Sequence, residues 1–167
     1  MNPATNTTKK EVTITRTFEA PRDLVFRAWT DARQLARWWG PAGWTNPVCE
    51  VDPRPGGAIH IVMHGPDPFG DAPMTGVFRE VVPPERLVFT STPLDKNGTA
   101  MFEVKTTVTF EDDHGKTRLT MHQVEVWSSP EAAFALSGME EGTRQTLDRL
   151  GAFLSPAAQR GSTSAKS

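Results

Sequence analysis

An α+β domain is what this sequence predicts: one antiparallel sheet of about seven strands carrying a long C-terminal helix. Two patterns predict it. From Trp44 to Val126 the chain shows strand and turn signals only, and from Met139 to Leu154 it shows one amphipathic helical run. Strands that succeed one another without helices between them pair antiparallel, and a helix with one apolar face must lie on something apolar. The 167 residues suffice for a single domain with its own core. That domain is expected over residues 11–154, between polar tails at residues 1–10 and 155–167.

The elements follow in order. Val12 to Phe18 alternates apolar and polar side chains, the mark of a half-buried strand. Ala20-Pro21 opens a helix, because proline is preorganised for the first helical position. Leu24, Val25, Ala28 and Trp29 give that helix its apolar face. Thr30 or Asp31 caps a second short helix, which stops at Trp38-Trp39-Gly40-Pro41. Arg54-Pro55-Gly56-Gly57 places proline and glycine as a type II turn requires. Strands are expected over Ala58 to His64, Met74 to Val82, Arg86 to Thr92, Phe102 to Phe110 and Thr117 to Val126. The segment Gly65 to Asp71, rich in proline and glycine, is expected to be a loop without regular structure. Pro83-Pro84, Asp95 to Gly98 and Asp112 to Gly115 supply turns. Ser128 to Glu131 starts a helix that Gly138 interrupts. Met139, Thr143, Thr146, Leu147, Leu150, Phe153 and Leu154 then share one helical face.

Composition narrows the function. The 18 basic and 20 acidic side chains give a net charge of −2, which excludes charge-driven nucleic-acid binding as the default. No apolar run is long enough to span a membrane. The polar start of the chain lacks the apolar stretch of a secretion signal, and the one cysteine, Cys49, can form no intrachain disulfide. Both fit a cytoplasmic location. Five tryptophans offer large apolar area with one N–H donor each.

No catalytic centre, metal site or cofactor is expected from the motifs. His60 and His64 stand four apart on a strand, hence about 13 Å apart, and cannot share one ion. His114 falls in a turn and His122 in the last strand. Cys49 has no companion and reads as a small buried hydrophobe. There is no nucleophile elbow, and the pairs Asp112-Asp113 and Glu140-Glu141 read as solvated. Glu50, Asp52 and Glu80 leave two readings open. Facing inward, a carboxylate in apolar surroundings would have a raised pKa and could act as an acid or base. Facing outward, it would pair with Arg54 or Arg79.

The strands group their apolar residues on one face. Ile59, Ile61 and Met63 form one set, Met74, Gly76 and Phe78 another, Phe102, Val104 and Phe110 a third, and Leu119 with Met121 a fourth. A long helix over such a curved sheet leaves a gap, and gaps of this kind are common ligand sites.

Nine segments carry a family resemblance in order: Phe18-Glu19-Ala20-Pro21, Val25 to Thr30, Trp38-Trp39-Gly40-Pro41, Asp52 to Gly57, Met63 to Asp67, Pro83 to Thr90, Thr117 to Thr120, Gly138-Met139 and Leu147 to Leu150. The set resembles the START/Bet v 1-like (SRPBCC) helix-grip superfamily, in the branch related to the C-terminal domain of the activator of Hsp90 ATPase. The resemblance implies a helix-grip fold with an internal cavity and a small apolar molecule as partner. The facing of strands and helix puts Trp39, Trp44, Ile61, Met63, Phe78, Phe102, Met121, Met139 and Thr143 at that cavity, with Trp38 and Phe69 also near the mouth. The resemblance leaves open a cyclase-, aromatase- or hydrolase-like enzyme using the same cavity, with Glu50, Glu80, His60 or His122 turned inward. A cochaperone-like interaction module is the third reading. Contact with Hsp90 is not expected, because the domain that precedes this one in the eukaryotic cochaperone is not in the sequence. The resemblance allows a homodimer.

Overall fold

Antiparallel pairing runs through the whole sheet in the structure, a computed structural model that describes residues 9–155. Strand β1 (Glu11–Phe18) is followed by helices α1 (Arg22–Thr30) and α2 (Ala32–Trp38). Then come β2 (Thr45–Val51), β3 (Ala58–Gly65), β4 (Gly70–Val82), β5 (Arg86–Pro93), β6 (Phe102–Asp113) and β7 (Lys116–Ser128). A single 3-10 turn, Pro130–Ala132, leads into α3 (Ala133–Ser137) and the long α4 (Met139–Leu154). The sheet order is β1-β7-β6-β5-β4-β3-β2. Strands β2 to β7 thus form a meander, and β1 closes onto the far side of β7 with Ile14 opposite Met121. The tails expected at residues 1–10 and 155–167 lie outside the described residues, apart from Lys9, Lys10 and Ser155.

Local chemistry sets the joints. Helix α1 begins one residue later than the proline signal implied, with Pro21 as its N-cap. The Asp31 carboxylate accepts the Arg33 N–H at 2.9 Å and caps α2. Gly40 follows α2 with φ +96°, the left-handed position past a helix end. In the turn at Arg54, Gly56 has φ +85° and the Gly57 N–H donates to the Arg54 carbonyl at 2.7 Å, as a type II turn requires. His114 and Gly115 both have positive φ, which fits the two-residue β6–β7 hairpin.

One expected loop is shorter than the sequence suggests. Between residues 65 and 71 only Pro66 to Phe69 lie outside strands; β3 continues through Gly65 and β4 starts at Gly70, the two facing each other in the ladder. Residues 70 to 73 carry few strand-forming side chains, which hid the extension. Its cause is tertiary: the Trp44 indole covers Gly65 so closely that a Cβ there would lie 2.6 Å from the ring.

Inward-facing residues of nearly every strand meet α1, α2 and α4 in one core. Val25, Ala28, Trp38, Leu87, Val108, Leu119, Leu147 and Leu150 are wholly buried. Helix α4 adds Leu147, Leu150 and Leu154 to the cluster that holds Ile14, Phe18 and Met121. On its outer side Asp148 pairs with Arg16 of β1 at 2.7 Å. A smaller cluster, Phe102, Val104, Ala132 and Leu136, sits under α3, and Met139 touches both.

Leu147→Ala leaves a hole where α4 meets the sheet. It should lower stability by about 2–5 kcal/mol with an unchanged denaturant slope, as read by urea unfolding.

Candidate functional site

Two cavities lie between the helices and the sheet. The outer one has a volume of about 150 Å³. Met139, Gly142, Thr143 and Thr146 of α4 form one wall, and the residues after α2, Trp39 to Pro41, form another. Met63 of β3 and Met121 and Gln123 of β7 make its floor. The inner cavity, of about 20 Å³, lies deeper under α1 and α2. Trp29, Leu35, Ile59, Ile61, Phe78 and Phe89 are among its lining, which is otherwise also apolar. Trp39 belongs to both linings.

The polar groups of the outer pocket are few and fixed. The Thr143 hydroxyl donates to the Gln123 side-chain oxygen at 2.8 Å, which leaves the Gln123 amide N–H groups as donors at the pocket. The Thr146 hydroxyl turns back onto the Gly142 carbonyl at 2.9 Å.

The lip of the pocket is held by α4. Arg149 Nη1 donates to the carbonyls of Trp39, Gly40 and Pro41 at 2.9, 3.1 and 3.0 Å, and Nη2 to that of Arg37 at 3.4 Å. One turn earlier, the Gln145 side-chain oxygen accepts the Ala42 N–H at 3.1 Å. From the other side, Asn46 Nδ2 donates to the Ala36 and Trp39 carbonyls. Burial pushes the Arg149 pKa down, and no carboxylate of the described residues pairs with it. The carbonyls at the end of α2 take that place, because a helix C-terminus attracts a cation.

Among the buried side chains of α1 one donor is left over. The Trp29 indole N–H is buried and has no acceptor. An unmade hydrogen bond of this kind costs about 1–3 kcal/mol. Trp38 beside it, at a ring separation of 4.8 Å, does find one, the Ala28 carbonyl at 3.1 Å.

The nine expected cavity residues divide accordingly. Trp39, Met63, Met121, Met139 and Thr143 come together at the outer pocket. Trp39, Ile61 and Phe78 line the inner one. Trp44 and Phe102 line neither. Trp44 instead packs at a tilt on Phe69 beside the β3–β4 turn, with ring centres 5.7 Å apart, and Phe102 packs beneath α3. Trp38, placed near the mouth by sequence, is wholly buried, because its apolar face and its N–H are both used in joining α2 to α1. Phe69 is 63% exposed. Gln123, Arg149 and Asn46 were not anticipated. Gln123 was within reach, since it follows Met121 by two on the same strand face.

The titratable candidates all face outward. Glu50 contacts His60 at 3.3 Å, Asp52 pairs with Arg54 at 2.7 Å, and Glu80 pairs with Arg86 at 3.1 Å. His64, His114 and His122 meet Asp71, Asp113 and Glu11. Among the described residues no three His, Cys, Asp or Glu side chains are grouped to hold a metal ion. Burial, helped by the Glu50 charge, pushes the Cys49 thiol up from 9.0 to about 11.

The sequence profile described as Activator of Hsp90 ATPase homolog 1-like protein matches residues 19–155. Among solved structures, a crystal structure from Nitrosomonas europaea is 29% identical, covering 86% of this chain and 93% of its own, with a TM-score of 0.70. A solution structure from Arthrobacter aurescens is 28% identical, covering 89% and 91%, with a TM-score of 0.77. A crystal structure from Mycobacterium smegmatis is 27% identical, covering 90% and 97%, with a TM-score of 0.72. No curated protein matches the chain.

Two outcomes test this geometry. Arg149→Met should lower stability by about 2–3 kcal/mol in urea unfolding, with Arg149→Lys intermediate because one ammonium cannot serve so many carbonyls. The raised thiol pKa keeps Cys49 protonated at pH 8. Its alkylation by iodoacetamide should therefore run about 100-fold slower in the folded than in the urea-unfolded chain, and should accelerate as pH rises toward 11.

Proposed function

The chain belongs to the family of activator of Hsp90 ATPase homolog 1-like proteins, and from that premise we propose that it binds a small apolar molecule in the outer pocket. The observation that carries this reading is the pocket's chemistry: methionine, tryptophan and small residues around about 150 Å³, one amide, and no carboxylate or imidazole in the lining. An apolar cavity of about that volume holds a single benzene ring. Flexible methionine side chains let the walls adapt to shape, while a fixed amide orients the ligand.

Binding without turnover is the better supported form of this function. General acid–base catalysis needs a titratable group within reach of the substrate. Glu50, Glu80, His60 and His122, the side chains on which an enzymatic reading depended, instead occupy the solvent-facing side of the sheet and pair there. A carrier or sensor of a small apolar molecule needs none of them.

Isopropenylbenzene is a suitable probe. Titrated into protein carrying ¹³C-methyl methionine, it should shift the Met63, Met121 and Met139 signals together and leave Met101, which lies under α3, in place. Met63→Arg should weaken binding by about tenfold or more while the circular dichroism spectrum is unchanged. Methionine signals that stay still at saturating probe would sink the reading.

A further inference from the structure

We infer that the Gln123 amide determines which apolar molecules the outer pocket selects, and that the preferred ligand carries a neutral carbonyl oxygen for that amide. This deepens the reading above and rests on it.

The strand register aims Gln123 inward. On β7 it follows Leu119 and Met121 in steps of two, and both of those side chains are buried. Across the ladder it lies opposite Thr106 of β6, which is 1% exposed. Its side chain therefore rises from the inner face of the sheet toward α4. There Thr143 meets it, and both residues line the pocket.

One side-chain donor group is left open at this place. The Thr143 hydroxyl donates to Gln123 Oε1 at 2.8 Å, so the other end of the amide, Nε2, is not used in that bond. Nε2 has no acceptor among the described residues. It is also not sealed in: the buried side-chain atoms without a partner are Trp29 Nε1 and Asn46 Oδ1. The Gln123 N–H groups thus reach open space from a side chain that lines the pocket. The neighbouring polar groups are engaged. The Thr146 hydroxyl donates to the Gly142 carbonyl, and the carbonyls of Trp39, Gly40 and Pro41 accept from Arg149. An apolar ligand that covers Gln123 without offering an oxygen strips water from these N–H groups and leaves them unpaired, whereas a carbonyl compound restores the bond.

The surroundings fix the charge of that oxygen. No cation lines the pocket. The first turn of α4 carries Glu140 and Glu141, so a carboxylate or phosphate would enter against like charge and without a counter-ion. The class is therefore a ketone, aldehyde or ester whose apolar body lies among Met63, Met121 and Met139.

Acetophenone and isopropenylbenzene test this, because they share a ring and differ in a carbonyl oxygen against a methylene. Each is titrated into protein carrying ¹³C-methyl methionine and ¹⁵N, and its affinity is read from the methionine signals. With acetophenone bound, the Gln123 side-chain amide protons should stand downfield of their position with isopropenylbenzene bound. Gln123→Met keeps the length of the side chain and removes both N–H groups. It should weaken acetophenone about tenfold more than it weakens isopropenylbenzene. Should that variant fail to fold, the amide signals of the unaltered protein decide alone. If the variant weakens both probes alike, or the amide protons stand at one position with either probe, Gln123 is only part of the wall and the outer-pocket reading stands without it. If neither probe shifts the methionines, the pocket reading falls and the role of Gln123 falls with it.

Discussion

The Arg149 guanidinium joins parts of the chain that no ladder hydrogen bond connects. From α4 it reaches the Arg37 carbonyl in the last turn of α2 and those of the three residues after the helix, Trp39 to Pro41. The Arg37 and Trp39 oxygens lie at the negative end of α2, and with the Gly40 and Pro41 carbonyls they solvate a cation whose charge burial opposes. Gln145, one helical turn earlier, ties down Ala42 in the same way. The long helix is thus anchored at its middle to the α2–β2 connection and at Asp148 to β1. Its first turns, from Met139 to Thr143, stand over Met121 and Gln123 across a gap that the Thr143 hydroxyl spans by donating to the Gln123 side-chain oxygen. The outer pocket is that gap, and its lip is the segment that Arg149 holds.

Charge is partitioned along with space. Every histidine sits on the outer face against a carboxylate, and Glu50, Asp52 and Glu80 are there too. A carboxylate facing the core would require desolvation that nothing inside offsets. The interior holds hydrocarbon, sulfur and indole, with neutral polar groups such as Thr106, Thr117 and Thr143.

Most of the fold was legible because it rests on local periodicity. The alternation in β1, β6 and β7, the glycine after α2, the type II turn at Gly56 and the break at Gly138 each announce themselves within a few residues. What was hidden depends on contacts distant in sequence. Gly65 looks like a loop residue until Trp44 is laid over it. The helical spacing that places Leu150 in the core says nothing of Arg149 beside it, which reads as a solvated arginine and in fact meets carbonyls more than a hundred residues away. The pocket was legible in part for the same reason. Met63, Met121, Met139 and Thr143 follow from the facing of strands and helix, whereas Trp44 and Phe102 needed knowledge of which sheet end each occupies.

The pairing of β1 with β7 has a consequence for how the chain is made. Glu11 and His122 meet across 111 positions of sequence, so β1 leaves the ribosome well before its partner β7. Contacts of such separation slow folding, since a long loop must close before any pairing rewards it. Through that interval Val12, Ile14 and Phe18 are an apolar stripe without a partner. The residues between them are Thr13, Thr15, Arg16 and Thr17, flanked by Glu11 and Glu19. Charges at both ends and an arginine inside make the waiting strand a poor template for another copy of itself, which protects the nascent chain until β7 arrives.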